Sequence, residues 1–199
     1  MCKDLSCQSL STREATRMYA MLDDQSNRSL ARYDLFDLFG VLYTEAPYSL
    51  KTCAGVVETS GRRANGFRIE PISGGNSFEL PTLIKCNEIP DNRAKIPMPK
   101  VAMQHPHLKS IASQIPQPDP NAHILLLLGR DMLRAHKVRQ QINGPNNAPF
   151  AQKLDLGWVL VGEMCLGTAH KPKVYSAKTN VLENGHPSLF TPSRSSHIL

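Results

Sequence analysis

Ile124-Leu125-Leu126-Leu127-Leu128-Gly129-Arg130-Asp131-Met132-Leu133 contains the densest apolar run of the chain. Ile124 to Leu128 is too short to span a bilayer and suits a strand buried on both faces. Gly129 breaks the run. Arg130 to Gln141 then reads as a helix. Asp131 lies in its first turn, and Arg134, Lys137 and Arg139 lie toward its end, as the helix dipole favours. Taken alone, the segment is a buried strand, a tight turn and a charged helix.

A second short apolar stretch, residues 17–22, reads as another buried strand. It stops at Asp23-Asp24-Gln25-Ser26-Asn27, a run of turn formers. A carboxylate at a strand end, in a tight polar turn, can be held by backbone N–H groups and a following hydroxyl. Taken alone, Asp23 also fits a plain turn aspartate, which is the commoner case. Residues 29–39 read as a helix closed by Gly40. From Tyr48 to Cys86, short apolar stretches alternate with Gly, Asn and Ser, the spacing of antiparallel hairpins. The stretch 55–72 carries Gly55, Gly61 and Gly66, and is either a mobile cover or an ordinary exposed hairpin.

Residues 87–122 hold seven of the fifteen prolines, which excludes a central sheet or a long helix. A short helix fits around His107–Ser113, and the rest reads as an extended connection. Residues 156–161 form a last strand with the only tryptophan. Residues 1–16 read as a loose N-terminal segment, with the start of the domain truncated. Residues 166–199 read as a flexible C-terminal tail.

The length of 199 residues suits one domain with tails. The apolar share of 41% is enough for a core, and the net charge of +6 argues against an acidic solvating protein. Residues 41–165 carry fourteen basic and ten acidic side chains, so the excess is scattered. A scattered excess reads as a solvated surface and argues against nucleic acid as the partner of this domain. No apolar stretch is long enough for a membrane span. The five cysteines are widely spaced with no CxxC pair, and the N-terminus has no apolar leader. Both features favour reduced thiols in an intracellular compartment, cytoplasmic or nuclear. The dispersed histidines have no partners at metal-ligand spacing, so no metal and no other cofactor is expected.

In order along the chain, Tyr19-Ala20-Met21-Leu22-Asp23-Asp24-Gln25-Ser26, the hairpin region and Leu127-Leu128-Gly129-Arg130-Asp131 resemble retroviral-type aspartic proteases. That family has an apolar strand running into Asp-Ser/Thr-Gly-Ser/Ala, a hairpin flap, and a hydrophobic strand ending in Leu-Leu-Gly-Arg-Asp or a variant. The chain resembles more closely the aspartic peptidase domain of polyproteins of BEL/Pao-type retrotransposons. There a Gly-Pro turn and a Leu-Gly-Trp-Val-x-x-Gly strand follow, as Asn143-Gly144-Pro145 and Leu156-Gly157-Trp158-Val159-Leu160-Val161-Gly162 do here. The resemblance spans residues 17–165. It implies a mainly β fold, a single retropepsin-like lobe built as a small closed β-barrel with short helices. The stretch 87–122 would be a Pro-rich insertion.

The resemblance also implies chemistry. Two carboxylates around one water cannot both ionise at contact distance, so they share a proton. One acts as general base on the water while the other polarises the scissile carbonyl. With one such motif per chain, Asp23 from each of two copies would form the dyad of a homodimer acting on a polypeptide. Asp24, Gln25 and Ser26 would support the active loop, the hairpin would cover the substrate, and Gly129, Arg130 and Asp131 would form a structural element. Asp24 and Gln25 stand where the family has Ser/Thr and Gly. A second reading is therefore a catalytically inactive, protease-like interaction or spacer module of a larger polyprotein.

Overall fold

The run Ile124–Leu128 is a strand buried along its whole length. A computed structural model describes residues 2–9, 15–40, 43–52, 55–93 and 96–162. In chain order the strands are β1 (Cys2–Ser9), β2 (Ala15–Leu22), β3 (Leu30–Ala31), β4 (Thr44–Thr52), β5 (Gly55–Ala64) and β6 (Phe67–Pro71). They continue with β7 (Phe78–Glu79), β8 (Leu83–Lys85), β9 (Ile124–Leu128), β10 (Val138–Ile142), β11 (Phe150–Leu154) and β12 (Gly157–Val161). Three short α-helices, α1 (Tyr33–Phe39), α2 (Pro99–Gln104) and α3 (Leu133–His136), and the 3-10 segments Pro106–Gln114 and Arg130–Met132 complete the described chain. The protein is mainly β.

Nine strands form one sheet in the order β4-β5-β8-β3-β9-β2-β1-β6-β7. β9 lies between β2, its parallel partner, and β3, its antiparallel partner. An all-aliphatic strand belongs in that interior position, where both edges are bonded and both faces are covered. The register shifts between Tyr19 and Ala20, so Leu125 is a bulged residue opposite β2. On either side of that bulge the side chains divide between two apolar clusters. Leu126 and Leu128 pack with Ala20, Leu22 and Phe36, whereas Ile124 and Leu127 pack with Tyr19, Met21 and Ile89.

The expected closed barrel is not what the described residues form. β4 pairs only with β5 and β7 only with β6, so the sheet ends in two edges. Pro47 lies in β4, where a missing N–H suits an edge, and β7 is two residues long.

The N-terminal segment read as loose contains an eight-residue strand, β1, paired to both β2 and β6. Leu5 and Cys7 are fully buried, but Lys3, Asp4 and Ser9 are buried too, and they conceal the apolar pattern. Asp4 is held by a bidentate pair, accepting from Arg17 Nε at 3.0 Å and Nη2 at 2.5 Å. Lys3 Nζ donates to the Trp158 carbonyl at 3.0 Å, which ties β1 to β12.

The helix expected over 29–39 begins at Tyr33, because Leu30 and Ala31 are taken into the sheet as β3. Gly40 ends it in the left-handed conformation. The helix expected over Arg130 to Gln141 is only a 3-10 turn and one helical turn. Residues 138–142 instead pair with β11 in a separate sheet, β10-β11-β12. Two of the three basic residues read as helix-end charges meet the turn between β11 and β12: Arg134 and Arg139 both donate to Asp155, at 3.1 Å and 2.7 Å. Together they lower the Asp155 carboxyl pKa to about 2, with the Arg139 hydrogen bond the largest cause.

The Pro-rich connection packs on this second sheet. Val101, Leu108, Ile111 and Ile115 meet Ala151, Trp158 and Leu160 in a third apolar cluster. Trp158 Nε1 donates to Gln114 Oε1 at 3.0 Å. The short helix expected around His107–Ser113 is the 3-10 segment, and α2 precedes it. The tail expected over 166–199 lies outside the described residues.

Burial pushes the Lys3 ammonium down to about 8, with Asp4 opposing the shift. Between pH 8 and the ordinary value of 10.5, the unfolded chain binds the extra proton, so stability from this group rises with pH across that window. Lys3→Met is expected to remove the rise. Urea midpoints of both proteins from pH 8 to 9 test this, below the window where the Cys7 thiol, pushed up to about 12, acts in the opposite sense. Parallel pH profiles would refute the assignment.

Candidate active site

The parallel pairing of β2 and β9 ends at Leu22 opposite Leu128. The next residues, Asp23 and Gly129, therefore leave the sheet side by side. The Asp23 N–H donates to the Leu128 carbonyl at 3.1 Å, extending the pairing by one step. The chain then turns. Gln25 N–H donates to Asp23 Oδ1 at 3.0 Å, which fixes the carboxylate by an aspartate turn. Asp23 is half-buried, whereas Asp24 and Gln25 are exposed.

Sequence-adjacent side chains fill the rest of the loop. Gln25 Nε2 donates to Asp24 Oδ1 at 3.2 Å, and Ser26 Oγ donates to the Arg28 carbonyl at 2.7 Å. The Ser26 carbonyl accepts from Arg130 N–H at 2.8 Å, joining this loop to the segment after β9. The four residues 23–26 thus form one bonded turn next to the Gly129-Arg130 step.

Asp131 locks the two segments together. Its Oδ2 accepts from Ser29 N–H at 2.9 Å and its Oδ1 from Ser29 Oγ at 2.6 Å. Ser29 Oγ in turn accepts from Gly129 N–H at 3.1 Å. Ser29 is fully buried, so its hydroxyl needs the acceptor that the half-buried Asp131 carboxylate supplies. Gly129 is required by space: a Cβ there would lie 2.5 Å from the Arg28 carbonyl oxygen. Its carbonyl also meets His136 Nε2 at 3.0 Å.

The expected hairpin is present but displaced along the chain. It is β4–β5, paired from Thr44↔Arg63 to Thr52↔Gly55, and not 55–72. Residues 55–72 include β5 and β6, which do not pair with each other. Gly55 opens β5 with φ +132°, and Gly66 sits between β5 and β6 with φ +84°. Gly61 lies inside β5, where a Cβ would be 2.9 Å from the Tyr48 ring and 3.0 Å from the Lys85 carbonyl oxygen. None of the three glycines lines the cleft described next.

Between the Asp23 turn and this hairpin runs a cleft of ≈ 630 Å³. Gln25, Ser26 and Arg28 line one side, and Tyr48, Ser49 and Lys51 of β4 line the other. Arg130 reaches it after β9, and Arg63 from β5. Tyr48 OH donates to the Lys85 carbonyl at 2.9 Å, and burial chiefly, with Cys86 and Glu88, raises the phenol above its ordinary value. Ser29, Arg28, Lys51 and Arg63 were not singled out in the sequence. A serine after a polar turn and scattered basic residues carry no spacing signal, and only the ladder β4-β5-β8-β3-β9 gathers them. Among the described residues, no three His, Cys, Asp or Glu side chains gather at metal-binding range.

No family model matches the chain, and a search of curated proteins finds no match. No helix among the described residues is long and apolar enough to cross a membrane.

Ser29→Ala removes a hydrogen bond to Asp131 and leaves the Gly129 N–H without its acceptor. It is expected to cost about 2 kcal/mol of stability. Urea unfolding of the two proteins measures it. A loss under about 0.5 kcal/mol, within the usual range of surface substitutions, would show that the lock is dispensable.

Proposed function

We propose that the chain is an aspartic-type endopeptidase of a retrotransposon-derived polyprotein, acting as a homodimer. In this reading each copy brings one Asp23, and the two carboxylates hold a shared proton and a water between them. One carboxylate takes a proton from the water as it attacks the scissile carbonyl, and the other polarises that carbonyl. The amine then leaves with a proton from the pair.

The carrying observation is the position of Asp23. It stands at the end of a buried strand, is bonded to the neighbouring strand through Leu128, and opens the turn whose Gln25 and Ser26 line a cleft beneath a hairpin, although Asp23 itself does not line it. Asp131, the carboxylate in the adjoining segment after β9, is committed to Ser29. Asp24 accepts from Gln25. A second copy is thus the natural source of the second catalytic carboxylate. The sequence resemblance over residues 17–165 supports the same chemistry and origin.

The alternative, an inactive protease-like interaction or spacer module, is favoured by Asp24 and Gln25. They add a side-chain amide and a further negative charge beside Asp23, where the resembled family carries a hydroxyl and a glycine.

The two readings separate in one assay. Peptide-library cleavage is measured between about pH 4 and pH 7, the range in which a shared-proton pair operates. The wild-type chain is expected to cleave, with Asp23→Asn slower by at least about a thousandfold. Sedimentation at the assay concentration is expected to report a dimer. Equal activity of the two proteins, or none in either, would overturn the enzymatic reading.

A further inference from the structure

The cleft under the hairpin carries positive charge that no described residue neutralises. Arg28, Lys51, Arg63 and Arg130 all line it, and none of its lining residues is Asp or Glu. None of the four forms an ion pair among the described residues, although Arg17, Arg32, Arg62, Arg68, Arg134 and Arg139 all do. Three carboxylates bond to lining residues without lining the cleft themselves. Glu58 accepts from Ser49 Oγ at 2.6 Å, Asp24 accepts from Gln25 Nε2, and Asp23 accepts from Gln25 N–H. These bonds leave the cations unpaired among the described residues.

Arg63 adds a second observation. Its Nη2 donates to the Pro47 carbonyl at 3.0 Å, but its Nε is buried and has no acceptor among the described residues. A buried donor without an acceptor is costly, and a ligand oxygen that reached it would relieve that cost. Like charges around a concave wall also repel one another, and they concentrate anions in the recess.

We infer that the cleft selects extended peptides bearing glutamate or aspartate side chains, which the four cations recognise. A carboxylate offers a guanidinium two oxygens in its own plane, so Arg28, Arg63 and Arg130 suit it geometrically. Lys51 supplies a point charge from the hairpin side. This names the substrate class for the peptidase reading and rests on that reading only for the claim that bound peptide is then cut. Aromatic side chains on which bases stack are scarce here, Tyr48 being the only one among the described residues that line the cleft. That favours an acidic peptide over a nucleic acid.

The test uses the full-length Asp23→Asn chain, so that bound peptide is not consumed. Two fluorescein-labelled peptides of identical length are titrated, one with two glutamates and one with glutamines in their place. The glutamate peptide is expected to bind about tenfold more tightly at about 50 mM salt, with the gap closing by about 300 mM. The preference is also expected to fade toward about pH 4, as the peptide carboxylates protonate. Arg28→Gln with Lys51→Gln, both at exposed positions, is expected to lower glutamate-peptide affinity about tenfold and to leave the glutamine peptide unchanged. Equal binding of the two peptides by the parent chain overturns the inference without any need for the double variant. So does a labelled single-stranded oligonucleotide that binds more tightly than the glutamate peptide and displaces it. Cleavage by the wild type with no acidic preference would overturn this inference alone. Glutamate-selective binding without cleavage would leave it standing and overturn only the peptidase reading.

Discussion

The pairing of β9 with β2 on one side and β3 on the other is the constraint from which the rest of the molecule follows. It places two strands that leave the sheet together, at Leu22 and Leu128, so that Asp23 and Gly129 begin their turns as neighbours. It also fixes β3, and β3 carries β8 in parallel. β8 holds β5, and β5 holds β4. The hairpin over the cleft is thus suspended from β9 through a continuous ladder of backbone hydrogen bonds. Loss of the β9 apolar contacts would move both walls of the cleft at once.

Carboxylates with different surroundings take different parts around that constraint. Asp131 accepts from a backbone N–H and a buried hydroxyl, and it serves as a fastener. Asp23 accepts a single N–H from its own turn and keeps its other oxygen uncommitted among the described residues. Asp155, gripped by Arg134 and Arg139, secures the second sheet. The cations that line the cleft have no such partners among the described residues. Among the described residues, charge is paired at Asp4 and Asp155, where it holds elements together, and unpaired along the cleft.

Two parts of this arrangement were legible in the sequence, for physical reasons. Ile124 to Leu128 could only be interior, since no exposed element tolerates five consecutive aliphatics. The polar run after Leu22 had to be a turn. What escaped were elements whose identity is set by partners far along the chain. β1 carries Lys3, Asp4 and Ser9 on buried positions; Lys3 is acceptable because the distant Trp158 carbonyl answers it, and Asp4 because Arg17 of the next strand does. β10 reads as the end of a helix until β11 pairs with it. The prolines of 87–122 forbid long elements but allow short helical turns against Trp158. The cationic lining of the cleft comes from four separate stretches, and no local pattern could join them.

The Ser29–Asp131 fastener joins residues 102 positions apart in the chain. Its consequence concerns the order in which the molecule comes into being. Such a contact demands closure of a long loop before any return is gained, which makes sheet assembly slow compared with local hairpins. During synthesis, the strand leading to Asp23 emerges early and waits for β9. Until Leu128 arrives, the Asp23 turn lacks its neighbouring strand, and the hairpin lacks the sheet from which it hangs. A ribosome-bound chain cut short before β9 therefore carries the aspartate without the cleft, and any activity of the site begins only after most of the domain has been made.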